Sequence, residues 1–131
     1  MSDYRKKLDA VRNIVYSNDT QISSVIRIKN YIENHFETDL NLDVLSQTEL
    51  ISKYHLLRLF KKYYGQTPRQ YLIDKRLEKS KNLLTNGISV TETCYAVGFE
   101  SIGSFSSLFK RKIGKSPLQF QKEQFSRNKL D

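Results

Sequence analysis

The sequence has 131 residues and a mass of 15.4 kDa, which suits one domain or two small lobes and excludes an enzyme with separate cofactor and substrate domains. Charged residues make up 27% and hydrophobic residues 38% of the chain, as in a globular protein rather than a disordered one. The 22 Lys and Arg residues outnumber the 14 Asp and Glu residues by eight, which favours a polyanionic partner, either nucleic acid or an anionic membrane surface.

The sequence shows neither the apolar pattern of a targeting segment nor a set of paired cysteines. The single cysteine excludes an intrachain disulfide and fits a reducing compartment. No apolar run approaches the roughly 18–20 residues that a membrane span needs, and the first residues, MSDYRKKLDA, lack the apolar stretch of a signal peptide. We therefore expect a cytoplasmic protein.

The first part of the chain predicts two helices. Residues 1–20 form an N-terminal extension that we expect to be helical, with Leu8, Val11 and Val15 on one side. Residues 24–36 predict a second amphipathic helix. Its apolar positions are Val25, Ile28, Tyr31, Ile32 and Phe36.

A pair of helices follows. Asn41 can cap a short helix over residues 42–48, and Ser52 can cap a second one after a tight connection. The second helix carries an apolar stripe at i, i+3, i+4 and i+7, and Gly65 follows its last turn. The stripe consists of Leu56, Leu59, Phe60 and Tyr63.

The second helix of this pair belongs to an internal repeat. At an offset of 49, residues 52–71 and 101–120 are identical at seven of 20 positions, and both prolines of the chain lie at the same repeat position. The matched prolines are Pro68 and Pro117. Two windows without Asp or Glu, residues 53–69 and 101–122, coincide with the two copies, so both copies carry a basic surface.

The rest of the second copy shows the same organisation. Residues 68–86 predict a connecting helix that ends at Gly87, and Ser89 opens a capping box with Glu92. A short helix and a tight turn then lead to a helix capped by Ser101. A connecting helix of roughly 28 Å can hold two helices near the roughly 34 Å spacing of successive major grooves. Two helix-turn-helix units, at residues 41–64 and 89–113, are therefore predicted in an all-α fold.

These motifs resemble one known family. The run Phe60-Lys61-Lys62-x-x-Gly65-x-Thr67-Pro68, its repeat Phe109-Lys110-x-x-x-Gly114-x-Ser116-Pro117, and Val97-Gly98-Phe99-x-Ser101 are similar to the DNA-binding domain of AraC/XylS transcription regulators. The resemblance implies a domain at residues 21–124 and a tail at residues 125–131. It further implies a compact regulator without an effector domain, acting as a monomer and an activator, with double-stranded DNA and RNA polymerase as partners. Its expected location is the nucleoid of a bacterial cytoplasm.

The chain departs from the family pattern at several positions. Ser46 and Cys94 stand where the family usually has alanine. Glu49 aligns with Gly98 at the repeat offset, so we expect the first turn to cost about 1 kcal/mol if its φ is positive. The resemblance also gives Arg76 a structural role in the connecting helix.

The outer faces of the two repeated helices supply the candidate DNA contacts. By resemblance, Tyr54, Leu57 and Arg58 occupy base-contacting positions, and Arg58 has the geometry to bind guanine through two hydrogen bonds. Two of these residues have a structural alternative. Leu57 could flank the core, and Arg58 could form an ion pair with Glu49 or Asp43. The second helix offers only short or apolar groups, so we expect it to bind phosphates and the first helix to carry specificity. The candidate residues are Ser52, Lys53, Tyr54, Leu57, Arg58, Lys61, Ser101, Ile102, Gly103, Ser106, Ser107 and Lys110.

Other chemistry finds little support in the sequence. Cys94 has no adjacent base, and His35 and His55 lie on different predicted helices without a ligand set. We therefore expect no enzyme activity, no cofactor and no metal. Two alternatives to an intact regulator stay open: the DNA-binding part of a larger effector-responsive regulator, and a non-specific nucleoid-binding protein. A membrane-surface role is disfavoured because no single helix combines a basic face with a broad apolar one.

Overall fold

The fold is all-helical, as the sequence predicts. The computed structural model describes residues 2–130, with side chains described for residues 3–10 and 19–128. Residues 2–130 form seven helices and no strand, and none of these helices is both long and apolar enough to cross a membrane. The helices are α1 (Ser2–His35), α2 (Leu42–Thr48), α3 (Lys53–Tyr64), α4 (Pro68–Thr85), α5 (Val90–Ala96), α6 (Ile102–Ile113) and α7 (Pro117–Leu130).

The chain divides into two compact units. One consists of Met1–Asn34 and Asn41–Pro68, and the other of His35–Leu40 and Arg69–Asp131. The first unit contains the α2–α3 pair and the second contains the α5–α6 pair. The predicted domain limits at residues 20/21 and 124/125 stay a prediction, and α1 and α7 run through them without a break.

Polar caps begin the helices where the sequence places them. The Ser52 hydroxyl accepts a hydrogen bond from the His55 backbone N–H at 3.1 Å, which satisfies one of the amides that the first turn of a helix leaves unpaired. The same role at the start of α2, α5 and α6 falls to Asn41, Ser89 and Ser101. Helices α3 and α6 end at left-handed glycines, Gly65 with φ of 73° and Gly114 with φ of 95°.

The second unit has an aromatic core. The Phe105 and Phe109 side chains are fully buried on α6, and the Phe109 ring centroid lies 5.5 Å from that of Phe120 on α7. Edge-on and tilted ring pairs of this kind stabilise a core beyond the apolar area that they bury. The buried cluster consists of Leu77, Leu84, Cys94, Val97, Phe99, Phe105, Phe109 and Phe120.

The first unit buries the inner faces of α1 and α3. Leu56 and Phe60 of α3 are buried and Leu59 is half-buried, as the predicted apolar stripe requires, whereas Tyr63, the last member of that stripe, is 47% exposed. Among the described residues of this unit, Val25, Ile28 and Ile32 on α1, Ile51 in the turn and Pro68 are also buried. Burial of this inner face fixes which side of α3 meets solvent.

The turn between α2 and α3 corrects one expectation. Glu49 has an ordinary φ of −84°, so it carries no strain, and the residue with positive φ is Leu50, at 56°. The structural counterpart of Gly98 is therefore Leu50, because each follows the C-cap of the first helix of its pair. The offset between the copies is 48 before the turn and 49 after it, since the second turn is one residue longer.

Helix α1 corrects a second expectation. The two helices predicted at residues 1–20 and 24–36 form one continuous helix, Ser2–His35. Ser24 lies inside it rather than at its start, and its buried hydroxyl accepts a hydrogen bond from Arg27 Nη2 at 3.2 Å. Arg27 in turn pairs with Glu49 at 2.7 Å and holds the pKa of that carboxyl below its usual value. The predicted stripe cannot be followed along its length, because Val11 and Val15 lie outside the described side chains.

Arg76 of α4 ties down the segment that follows α1. Its Nε donates to the Phe36 carbonyl at 2.7 Å and its Nη2 donates to the Thr38 carbonyl at 2.9 Å. The guanidinium carbon also lies 5.6 Å from the Phe99 ring centroid, and burial lowers the pKa of this guanidinium. Two backbone acceptors and one aromatic ring give Arg76 a structural role within the second unit.

Candidate nucleic-acid interface

The outer face of α3 is exposed and carries the side chains that the sequence analysis singled out. With Leu56 and Phe60 buried, Arg58 lies opposite the core, at the centre of the outer face. Tyr54 is 66% exposed and Leu57 is 41% exposed, which disfavours a core role for Leu57. Lys61 is exposed one turn further along the helix. Helix α3 therefore presents aromatic, apolar and cationic groups on one accessible surface.

Arg58 forms neither of the ion pairs considered as alternatives. Glu49 pairs with Arg27 at 2.7 Å, and Asp43 pairs with Lys53 at 3.0 Å. The Arg58 guanidinium carbon instead lies 5.7 Å from the Tyr54 ring centroid. This contact orients the guanidinium and leaves its N–H groups free of any carboxylate in the described part of the chain.

Lys53 differs from the other candidates because it already has an acidic partner. Its Nζ lies 3.0 Å from Asp43 Oδ1, and the two side chains are 68% and 62% exposed. An ion pair this exposed contributes little stability, so a phosphate oxygen can replace the carboxylate at small cost.

The outer face of α6 has the same position in its unit but different chemistry. Ser107 is exposed opposite the buried Phe105 and Phe109, at the position that Arg58 takes in the first copy. Ser106 is half-buried, and Ile102 is 38% exposed. The long donors of α6 lie in its last turn, at Lys110, Arg111 and Lys112.

Gly103 lies in open space on the outer face of α6. Its φ is not positive, and an added Cβ would meet nothing within 4 Å. Neither backbone conformation nor packing within the described chain therefore requires glycine here. The residue bares the helix backbone at the second position of α6.

Both outer faces include a shallow cleft that the sequence pattern did not indicate. In the first unit, a cleft of about 360 Å³ is lined by His55, Arg58, Leu59, Lys62 and Tyr63 of α3, with Gln21 and Ile22 of α1. In the second unit, a cleft of about 380 Å³ is lined by Gly103, Ser104, Ser107, Leu108 and Arg111. Four of the lining positions match at an offset of 49.

The missed residues are His55 and Lys62 on α3 and Ser104 and Arg111 on α6. In each helix, one of these residues precedes the central residue of the outer face, Arg58 or Ser107, by three positions, and the other follows it by four. Residues three and four positions apart are neighbours on a helix surface. That periodicity was available in the sequence. The basic identity shared by Lys62 and Arg111 was a further signal.

Cys94 has no exposed surface, and burial raises the pKa of its thiol, so it belongs to the core of the second unit. Within the described residues, no three His, Cys, Asp or Glu side chains cluster closely enough to bind a metal ion.

Residues 45–123 match the family model of a helix-turn-helix domain. Over 88 residues the chain is 36% identical to the HTH-type transcriptional activator RhaS of Escherichia coli. This match covers 66% of this chain and 32% of RhaS. The chain spans about half the length, or less, of the curated relatives that it matches.

Solved structures give the same result. The C-terminal domain of AraT, a response regulator from Geobacillus stearothermophilus, is 30% identical with a TM-score of 0.72, and the match covers 76% of this chain and 84% of that one. A Chromobacterium violaceum transcriptional regulator described as AraC-type is 26% identical with a TM-score of 0.62, covering 84% and 96% of the two chains.

Proposed function

This chain belongs to the AraC-type family of helix-turn-helix transcription regulators, and from that membership we propose that it binds specific sequences in double-stranded DNA and regulates transcription. In this proposal α3 and α6 act as recognition helices that enter successive major grooves. A chain with two recognition helices binds a two-part site as a monomer, without a symmetry-related partner.

The observation that carries the proposal is the duplication of a capped helix with a basic outer face. Both copies begin at a serine cap, bury an apolar stripe and turn outward a surface without acidic residues. A non-specific nucleoid-binding protein needs positive charge but not two matched helix-turn-helix units. The repeat therefore favours sequence-specific binding.

The two helices have different roles in this proposal. Arg58 binds guanine, and Tyr54 and Leu57 contact thymine methyl groups or sugars. In α6, Ile102, Gly103, Ser106 and Ser107 make only short or apolar contacts with bases. Phosphates are bound by the polar and cationic side chains Ser52, Lys53, Lys61, Ser101 and Lys110. Specificity then comes mainly from α3, with a contribution from DNA shape.

The proposal extends to activation of transcription, with RNA polymerase as the protein partner. It is supported by the likeness to RhaS, which is named as an activator. A second candidate is that the chain acts as the DNA-binding part of a larger, effector-responsive regulator. That candidate is favoured by the share of the relatives' length that the chain spans, 55% in the first relative and 32% in RhaS.

Selection from a random pool of double-stranded DNA at about 0.15 M salt, followed by sequencing, tests the proposal. We expect a motif of two blocks with centres roughly 10 bp apart, the first block well defined and the second degenerate. Salt-sensitive binding without an enriched motif would contradict sequence-specific recognition.

Two variants test the assignment of roles. Arg58→Ala should relax base choice in the first block, since a lost bidentate contact removes about 1–3 kcal/mol of discrimination. Ser107→Ala should leave the selected motif unchanged, because its hydroxyl is too short to supply such a contact. Equal losses of specificity in the two variants would refute the asymmetry between the helices.

A further inference from the structure

The two clefts on the outer faces have one cationic residue in common. Among the four matched lining positions, Arg58 corresponds to Ser107 and His55 to Ser104, so the two copies differ in charge at the centre and in side-chain type at one flank. Lys62 corresponds to Arg111, and this flank is cationic in both copies. A positive charge that is present in both clefts, while other lining residues differ, indicates a function that does not depend on the DNA sequence that each helix contacts.

Ion pairs distinguish these two residues from two other cations of the recognition helices, Lys53 and Lys112. Lys53 is paired with Asp43 at 3.0 Å, and Lys112 is paired with Asp74 at 3.6 Å. Within the described residues, neither Lys62 nor Arg111 has a carboxylate partner, and Lys62 Nζ lies 5.5 Å from the Tyr63 ring centroid. Their charges remain available to an external anion.

The position along the helix indicates which part of DNA they would contact. Residues near the N-terminus of a recognition helix contact base edges, whereas Lys62 and Arg111 lie one turn beyond the central residues Arg58 and Ser107, close to the helix C-terminus. Cations at the C-terminal flank of such a helix face the phosphate backbone beside the groove.

We propose that Lys62 and Arg111 are a matched pair of phosphate contacts, one in each helix-turn-helix unit, that fix how each recognition helix lies in its groove. This inference rests on the proposed function and adds two residues to the DNA-binding surface. A purely structural role is the alternative, because a cation in the last turn also interacts favourably with the helix dipole.

Charge-removing variants distinguish these roles through the salt dependence of binding. Lys62→Gln and Arg111→Gln are each titrated against the DNA selected by the wild-type protein, between about 0.05 and 0.3 M salt. The slope of log K against log salt concentration is negative, and each lost phosphate contact should reduce its magnitude by about 0.9. The motif selected by each variant should stay the same, because a phosphate contact carries no base information.

The matched control is Lys79→Gln, which removes the same charge from an exposed position on α4. We expect it to leave the slope within error of the wild-type value. Thermal unfolding of all variants provides the readout for the structural role, and the midpoints should differ by no more than a few degrees.

The possible outcomes distinguish a failure of the proposed function from a failure of the two phosphate contacts. If the wild-type protein selects no motif, the proposed function fails. If it selects a motif but Lys62→Gln and Arg111→Gln keep the slope seen with Lys79→Gln, the phosphate contacts are refuted while the proposed function stands. A changed motif in Arg111→Gln would show a base contact instead and would likewise overturn the phosphate assignment.

Discussion

Leu50 and Gly98 occupy the same position in the two helix-turn-helix turns, and both have left-handed backbone conformations, with φ of 56° and 99°. In each turn the next residue donates its N–H to a carbonyl five residues earlier, Ile51 to Ser46 at 3.0 Å and Phe99 to Cys94 at 3.1 Å. This hydrogen bond defines the Schellman ending of a helix, for which glycine is the usual residue at the left-handed position. The first turn therefore holds leucine in a conformation that the second turn gives to glycine.

Leu50→Gly should stabilise the protein. A side chain in the left-handed region costs roughly 1–2 kcal/mol, and glycine loses about 0.5–1 kcal/mol more backbone entropy on folding. Because the Leu50 side chain is 95% exposed, its removal sacrifices almost no buried area. We expect the free energy of unfolding to rise by about 0.5–1 kcal/mol in urea denaturation. Leu50→Ala is the control, because it shortens the side chain but keeps the strain, and an equal gain in Leu50→Ala would refute the explanation.

Gly98→Ala should destabilise the protein more than backbone strain alone explains. A Cβ at Gly98 would lie 2.9 Å from the Glu37 carbonyl oxygen and 3.1 Å from the Arg76 guanidinium carbon, whose hydrogen bonds tie down the segment after α1. Gly114→Ala is the matched control, since Gly114 has a φ of 95° but an added Cβ meets nothing within 4 Å.

Strain alone should cost about 1 kcal/mol in Gly114→Ala, while the clash should at least double that loss in Gly98→Ala. Thermal and urea unfolding measure both values. Equal losses in the two variants would show that the close approach to Arg76 and Glu37 is unimportant.

The sequence predicts the helix caps and buried stripes, but it does not identify Leu50 rather than Glu49 as the residue with positive φ. Caps and apolar stripes depend on residues a few positions apart, so Ser52, Gly65 and Phe60 were assigned correctly from the sequence. A single offset of 49 aligns Glu49 with Gly98 and so places the conditional strain at Glu49, although the second turn has an additional residue. A single inserted residue in a turn changes no hydrophobic pattern, and only the backbone reveals it.

The continuous α1 has a similar explanation. The apolar pattern predicts a helix that begins at residue 24, but the Ser24 hydroxyl accepts a hydrogen bond from Arg27 inside one continuous helix. The partner of Arg27 is Glu49, 22 residues further along the chain, and such a tertiary contact is invisible to local propensity. The cleft residues His55 and Lys62 have a different explanation, since they lie at the edge of the outer face and outside the set of candidate positions drawn from that face.

Thr93→Val should raise stability. The Thr93 side chain is fully buried, and its Oγ1 has no hydrogen-bond partner among the described residues. An unsatisfied buried hydroxyl costs roughly 1–3 kcal/mol, and valine replaces it with a methyl group of the same shape. We expect a gain of about 1 kcal/mol in urea denaturation. Thr91→Val, at an exposed position of the same helix, should change little, and a loss of stability in Thr93→Val would show that the hydroxyl is satisfied in solution.

Ser107→Arg should give the second recognition helix a base preference that it lacks. Ser107 occupies the position of Arg58, and the neighbouring Gly103 and Ser104 leave space for a long side chain. A new bidentate contact with guanine should add about 1–3 kcal/mol of discrimination, visible as a defined guanine in the second block of the selected motif. The nearby Lys110 and Arg111 should lower stability by only a few tenths of a kcal/mol, since like charges on a helix surface repel weakly.

Ser126→Arg is the control for Ser107→Arg, because it adds the same charge at an exposed position on α7. It should leave the motif unchanged. If Ser107→Arg strengthens binding to all DNA sequences equally, then α6 does not contact base edges at this position. The second unit then contacts only the sugar-phosphate backbone of the DNA.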